Sequence, residues 1–243
     1  MSAARKRALV TGGSGEIGAA ICRRLAAAGH FVYVHAHVNG ERAAALVAEL
    51  AAAGGAGAAV SFDVTAGAAA RAATEEMLAA GPVQILVNNA GIHDDAVFPG
   101  MSSRQWHRVV DTTVDGFFNV TQPLLMPMIR TRWGRIINIS SLSALLGNRG
   151  QVNYSAAKGA LNAATRSLAV EVASRGITVN AVAPGVIGTR ETSRAFDPER
   201  IARLVPMKRA GTPEEVASLV AYLVTEEAGY ITGQVISVNG GIL

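Results

Sequence analysis

The residues of this chain best suited to chemistry are Tyr154 and Lys158, in the run Tyr154-Ser-Ala-Ala-Lys158, with Ser141 upstream of them at the end of an apolar stretch. Residues four apart share one face of a helix, so the phenol and the ammonium would act on the same small volume. A free tyrosine, with a pKa of ~10, is a poor proton donor and acceptor at neutral pH. A lysine ammonium beside it favours the phenolate and brings the phenol towards a useful range. Ser141 would hydrogen-bond a substrate oxygen, so that charge developing there meets a fixed donor. This trio suits proton exchange with a carbonyl or alcohol oxygen while hydride moves at the adjacent carbon. Tyr-x-x-x-Lys alone also describes a surface tyrosine packed on a lysine stem. The weight of the reading lies in the surrounding motifs.

The first of these is Thr11-Gly-Gly-Ser-Gly-Glu-Ile-Gly18, which follows a short apolar run and opens onto a helical pattern. Glycines let the backbone turn tightly and approach a pyrophosphate, whose charge is favoured at a helix N-terminus. Gly12, Ser14, Gly15, Ile17 and Gly18 are therefore expected at a dinucleotide. The end of the second apolar run, Val34 to Arg42, holds no acid before Glu41. An acid there would bind the ribose 2′-hydroxyl and repel a 2′-phosphate, so NADP(H) is favoured. His37, Asn39 and Arg42 are candidate phosphate contacts, and a solvated loop with Asn39 as a helix cap is the alternative. Asp63, followed by Val64, ends the third run and is expected at the adenine. Asn88-Asn89-Ala90-Gly91 ends the fourth, where short residues let the backbone reach the cofactor.

These motifs need elements to position them. Apolar runs recur at Ala8–Val10, Phe31–Val34, Ala59–Phe62, Ile85–Val87, Arg135–Ile139, Thr178–Val182 and Val235–Val238. Between them lie helical patterns near 17–28, 41–53, 67–80, 103–131, 153–174 and 213–225. The alternation predicts a single-domain, Rossmann-like α/β fold spanning residues 1–243: a doubly wound parallel sheet of about seven strands with helices on both faces. Ligands then sit beyond the carboxyl ends of the strands, where the motifs above fall. The Ala/Gly-rich segment 51–59 reads as a helix end and turn.

Composition narrows the function. With 243 residues and 50% hydrophobic content the chain fills one sizeable core, and 5% aromatic content favours helix-on-sheet packing. A net charge of +4 without basic runs gives little support to a nucleic-acid surface. A single cysteine, Cys22, excludes an internal disulfide, no Cys/His cluster has zinc spacing, and no metal is expected. No signal-peptide core and no uncharged 18-residue span is present, so a cytoplasmic location without membrane insertion is expected. Trp106, Trp133, His93, His107, Met126 and Met128 read as packing or surface residues.

Taken together, the motifs resemble the short-chain dehydrogenase/reductase family from about residue 5 to the C-terminus. The chain is most similar to the 3-oxoacyl-[acyl-carrier-protein] reductases. The stretches from Ser174 to Ile187, with Val-Asn-Ala-Val-Ala-Pro-Gly, and from Gly229 to Gly241 add to this. The resemblance implies NADPH-dependent reduction of a β-ketoacyl thioester in fatty-acid or polyketide/polyene-type synthesis, by a homotetramer. It implies Ser141 and Tyr154 at the carbonyl, Lys158 at the ribose and tyrosine, and Asn89, Pro184, Gly185, Ile187 and Thr189 at the cofactor. It also implies a substrate lid over Thr189 to Pro206 and carrier-protein contacts at Arg132 and Arg175. An acyl-CoA or a small alcohol or ketone is the alternative substrate. A nicotinamide-binding sensor or scaffold without turnover is the alternative from another class.

Three positions depart from the pattern. Glu16 stands where the family has a glycine, and a carboxylate beside a pyrophosphate should weaken binding. Gly12, Gly15 and Gly18 nevertheless fit the spacing of longer relatives. Gly15 replaces an arginine that often meets the 2′-phosphate. Thr113 stands where an asparagine commonly holds a water of the proton relay, and its hydroxyl is a candidate substitute.

Overall fold

The computed structural model describes residues 5–243. The chain runs β1 (Arg7–Val10), α1 (Glu16–Ala27), β2 (Phe31–Ala36), α2 (Gly40–Ala52), β3 (Ala56–Ser61), α3 (Gly67–Ala79), β4 (Ile85–Asn88), α4 (Ser103–Val110), α5 (Gly116–Thr131) and β5 (Gly134–Ile139). It continues through α6 (Ser143–Leu146), α7 (Val152–Val172), β6 (Ile177–Pro184), α8 (Arg190–Ala195), α9 (Pro198–Leu204), α10 (Pro213–Leu223) and β7 (Val235–Val238). The strands form one sheet in the order β3-β2-β1-β4-β5-β6-β7, and every neighbouring pair is parallel. The expected doubly wound α/β fold is therefore present.

Strand side chains point alternately to the two faces, which is why the runs are apolar throughout. Val10, Val34, Ile85, Val87 and Ile137 pack with Ile21, Leu25, Leu46 and Val220 of α1, α2 and α10. Leu9, Leu86, Ile136 and Val179 pack on the other face with Leu124, Met128 and Val172 of α5 and α7. The strand order reverses between β1 and β4, which opens a crevice at their carboxyl ends. No helix among the described residues is long and apolar enough to cross a membrane.

Two boundaries differ from those expected. β3 begins at Ala56, inside the segment read as helix end and turn, because pairing with Phe31 to Ala36 supplies what its Ala/Gly composition does not. The helix expected over 103–131 is broken by a π-helical turn at Asp111–Asp115. That turn holds Thr113 only 2% exposed. The segment from Thr189 to Pro206 is built of α8 and α9, capped by the side chains of Thr189 and Asp197.

Candidate active site

The crevice is pinned by hydrogen bonds between the loops after β1 and β4. Thr11 Oγ1 accepts from the amides of Asn89 and Ala90, both at 3.0 Å. The Asn89 carboxamide donates back to the carbonyls of Thr11 (2.9 Å) and Gly12 (3.1 Å). Within the glycine loop, Gly12 takes the left-handed backbone at φ 61°. Gly18 comes so close that a Cβ there would lie 2.3 Å from the Gly12 carbonyl oxygen. Gly15 needs no unusual φ; it is the N-cap from which α1 starts.

His35, in the apolar run of β2, holds this loop from below. Its Nδ1 accepts from the Gly12 amide at 2.9 Å, while Nε2 lies 2.9 Å from the Phe62 carbonyl. Those partners fix the neutral tautomer with its proton on Nε2. Burial lowers the His35 pKa, and the Phe62 carbonyl only partly opposes it.

On the other side, α7 carries Tyr154 and Lys158 into the crevice. The helix is fixed to the sheet by a buried chain of side chains. Asn88 donates to Thr121 (3.0 Å) and Asn138 (2.9 Å), and Asn138 donates to Thr165 of α7 at 2.8 Å. Lys158 is 3% exposed, and its Nζ donates to the Ile139 carbonyl at 2.7 Å. Burial without a paired carboxylate pushes its pKa down to about 8. The ammonium lies 5.7 Å from the centroid of the Tyr154 ring. Ser141 Oγ accepts from the Ser143 amide at 3.1 Å.

A single cavity of about 820 Å³ runs from Gly12, Gly15, Ile17 and Gly18 past Asn89, Ala90 and Gly91 to Ser141, Tyr154 and Lys158. Pro184, Gly185, Ile187 and Thr189 line it as well. Most of the expected site residues thus share one volume. Others lie outside it. Ser14 lines a separate cavity of about 450 Å³ with Arg23 and Arg42. His37 pairs with Asp63 at 3.9 Å. Asp63 also accepts from the amide and hydroxyl of Thr65, and although burial opposes it these partners leave its pKa lowered. Val64 is buried, and its carbonyl accepts from Asn119 at 2.9 Å. Thr113 is off the cavity wall, its buried hydroxyl without a hydrogen-bond partner among the described residues.

Two positions gain partners that the sequence does not show. His93 lines the cavity and packs on Tyr154, ring centroids 4.0 Å apart. Glu16 does not leave an unpaired carboxylate at the loop, because it accepts from the Arg190 amide at 2.9 Å with the Arg190 Nε at 3.5 Å. Sequence reasoning also missed His35 and Gln151; Gln151 shows its role only once Asp95 and His93 are seen beside it.

This arrangement fits a nicotinamide dinucleotide. The glycine cradle leaves no room for side chains at Gly12 and Gly18, the α1 N-terminus faces the same cavity, and the reactive trio lies at its far end. The comparisons agree. A family model described as Enoyl-(Acyl carrier protein) reductase matches residues 13–243. The chain is 45% identical to a 3-oxoacyl-[acyl-carrier-protein] reductase FabG of Aggregatibacter actinomycetemcomitans, over 96% of this chain and 98% of that protein. It is 47% identical to an acetoacetyl-CoA reductase of Rhizobium meliloti, over 96% and 97%. It is 44% identical to nodulation protein G of Azospirillum brasilense, over 98% of both. The chain belongs to the short-chain dehydrogenase/reductase family. It is an NAD(P)-dependent oxidoreductase.

Proposed function

We propose that the chain reduces a 3-oxoacyl thioester, held on an acyl-carrier protein, to the 3-hydroxyacyl product with NADPH. The observation that carries this reading is the continuous cavity joining the glycine loop to Ser141, Tyr154 and Lys158. The cofactor, when bound, supplies hydride to the β-carbon. Ser141 and Tyr154 hold the ketone oxygen, and the phenol gives it a proton. Lys158 keeps one N–H on the Ile139 carbonyl, which leaves the others for the ribose and for favouring ionisation of the phenol. Thr113 is a candidate to order a water behind Lys158. Support for NADPH comes from the β2 end, which holds no acid before Glu41, and from Ser14 and Arg42 at the smaller cavity, where Arg23 is paired with Glu49 at 2.7 Å and Glu16 and Glu214 also line the wall.

The proposal extends to partners. Arg132 and Arg175 stand just before β5 and β6, and Arg132 donates to the carbonyl of Ser174, the residue before Arg175. The pair is proposed as a basic surface for an acidic carrier protein, with Arg132 about 20 Å from Ser141, the length of a six-residue strand. Phe118, Met126 and Val170 expose apolar surface on α5 and α7, which supports a homotetramer burying those helices.

The test is oxidation of NADPH and of NADH with 3-oxoacyl, acetoacetyl-CoA, crotonyl and short-mimic thioesters. Preference for NADPH and a carrier-bound 3-oxoacyl group is expected. Equal kcat/KM on carrier and CoA substrates would favour the acetoacetyl-CoA reading that the 47% identical relative suggests. Binding of NADPH with no turnover on any of them would overturn the enzyme reading.

A further inference from the structure

The loop after β4 brings an imidazole against the face of the tyrosine that the proposed reaction depends on. The rings of His93 and Tyr154 are stacked, 4.0 Å apart at their centroids and 27° from parallel. The edge of the imidazole is fixed in turn. Gln151, 8% exposed, has its carboxamide oxygen held by Ser143 Oγ (3.1 Å) and Asn148 Nδ2 (2.9 Å). Its amide nitrogen therefore faces the β4 loop, where it donates to Asp95 at 2.8 Å and lies 3.3 Å from His93 Nδ1. Asp95 Oδ1 lies 3.8 Å from the same Nδ1, so this edge of the ring meets both the Gln151 carboxamide and the Asp95 carboxylate. The same wall is tied down by the Ala96 amide, which donates to the Gly150 carbonyl at 2.9 Å.

Tyr154 stands in the first turn of α7, and its ring borders the open cavity. A phenol delivers a proton efficiently only from a narrow range of orientations, and a ring stacked on its face restricts the orientations open to it. We infer that His93 is a positioning residue: its ring, locked by Gln151, fixes the plane of the Tyr154 phenol against the substrate oxygen. It acts through the tyrosine, whose ring it stacks on. Face-to-face contact between flat rings is what the geometry supplies, so a residue of similar bulk without a ring would not replace it.

This inference rests on the reading of Tyr154 as the proton donor, and the experiment separates the two. His93→Leu keeps bulk and removes the ring; His93→Phe keeps the ring and removes the polar edge. Steady-state kinetics with a 3-oxoacyl thioester and NADPH titration by fluorescence are run on both and on the wild type. His93→Leu is expected to lose about tenfold in kcat, equivalent to about 1.4 kcal/mol, with KM and NADPH affinity within about twofold. His93→Phe, which keeps the stack and loses the Gln151 contact, is expected to fall between His93→Leu and the wild type, with a loss of about threefold. Unchanged kcat in His93→Leu, equal losses in the two variants, or a loss of NADPH affinity parallel to that in kcat would each overturn the positioning role. Full activity in Tyr154→Phe would instead sink the reading beneath it.

Discussion

The two ends of the main cavity are built by different means. Around the glycine loop the walls are backbone: Gly12, Gly18 and the Asn89 to Gly91 segment, cross-linked through Thr11 and Asn89. Around Tyr154 the walls are side chains from α7, from α6 and from the loop after β4, each held by another side chain. A backbone wall suits a pyrophosphate that every cofactor of the class shares. A side-chain wall can be varied residue by residue, which suits the part of the site that meets the substrate. The comparison teaches that damage to the first end should appear as lost cofactor affinity, and damage to the second as lost turnover.

Tyr154→Phe tests the second half of that statement with the largest effect. Kinetics of NADPH oxidation should show kcat falling by ~10²–10⁴-fold, while NADPH affinity and Tm stay unchanged. A fall in affinity of similar size would erase the division between the two ends.

Gly18→Ala is the counterpart at the backbone end. The added methyl would meet the Gly12 carbonyl oxygen at 2.3 Å and Gly13 Cα at 2.8 Å, neither of which can turn aside as a side chain does. Cofactor affinity should drop by tenfold or more and stability by ~1–3 kcal/mol. Fluorescence titration and thermal unfolding measure the two. Wild-type affinity would mean that the loop is free to relax.

The first end was the more legible in sequence for the same reason. A tight turn and a close approach admit few residues, so glycines at 12 and 18 after an apolar run name their own geometry. Tyr154 and Lys158 were legible because a single helix sets their relation, and the sheet because strands buried on both faces are apolar throughout. His35 was not, since a histidine in a strand says nothing until Gly12 and Phe62, 23 and 27 positions away, are placed on either side of its ring. His93 was hidden likewise: its partner Tyr154 comes from another element. The π-helical turn at Asp111–Asp115 interrupts a pattern that reads as one continuous helix. The start of β3 was hidden because Ala56–Gly–Ala–Ala carries no strand signature and is paired only by its neighbour.

His35 sharpens the comparison through pH. Its folded pKa lies below the ordinary 6.5 because burial disfavours the charged ring, so the unfolded chain binds more protons in acid. Its contribution to stability is full above about pH 6.5 and is lost as pH falls below that value. A proton on Nδ1 would face the Gly12 amide and loosen the glycine loop. Tm followed from pH 7.5 to 5 should therefore fall more steeply in the wild type than in His35→Gln, with NADPH affinity weakening alongside. His30, whose pKa burial also lowers, is present in both proteins and cancels. Parallel curves would show that the loop does not depend on the ring.

Glu16 gives the smallest effect and ties the glycine-loop end to α8. Its carboxylate starts from the first turn of α1 and reaches the amide and side chain of Arg190 at the start of α8, 174 positions away. The partners are exposed at 74% for Arg190 and 38% for Glu16, and an ion pair that open to water contributes little. Glu16→Gln keeps an oxygen for the Arg190 amide and removes the charge. If the carboxylate is committed to the α8 side, NADPH affinity should change by less than about threefold, with the change shrinking further in 0.5 M salt as screening grows. A tenfold tightening would mean that the charge is felt at the pyrophosphate after all, and the cofactor end would then have to be counted as partly a side-chain wall.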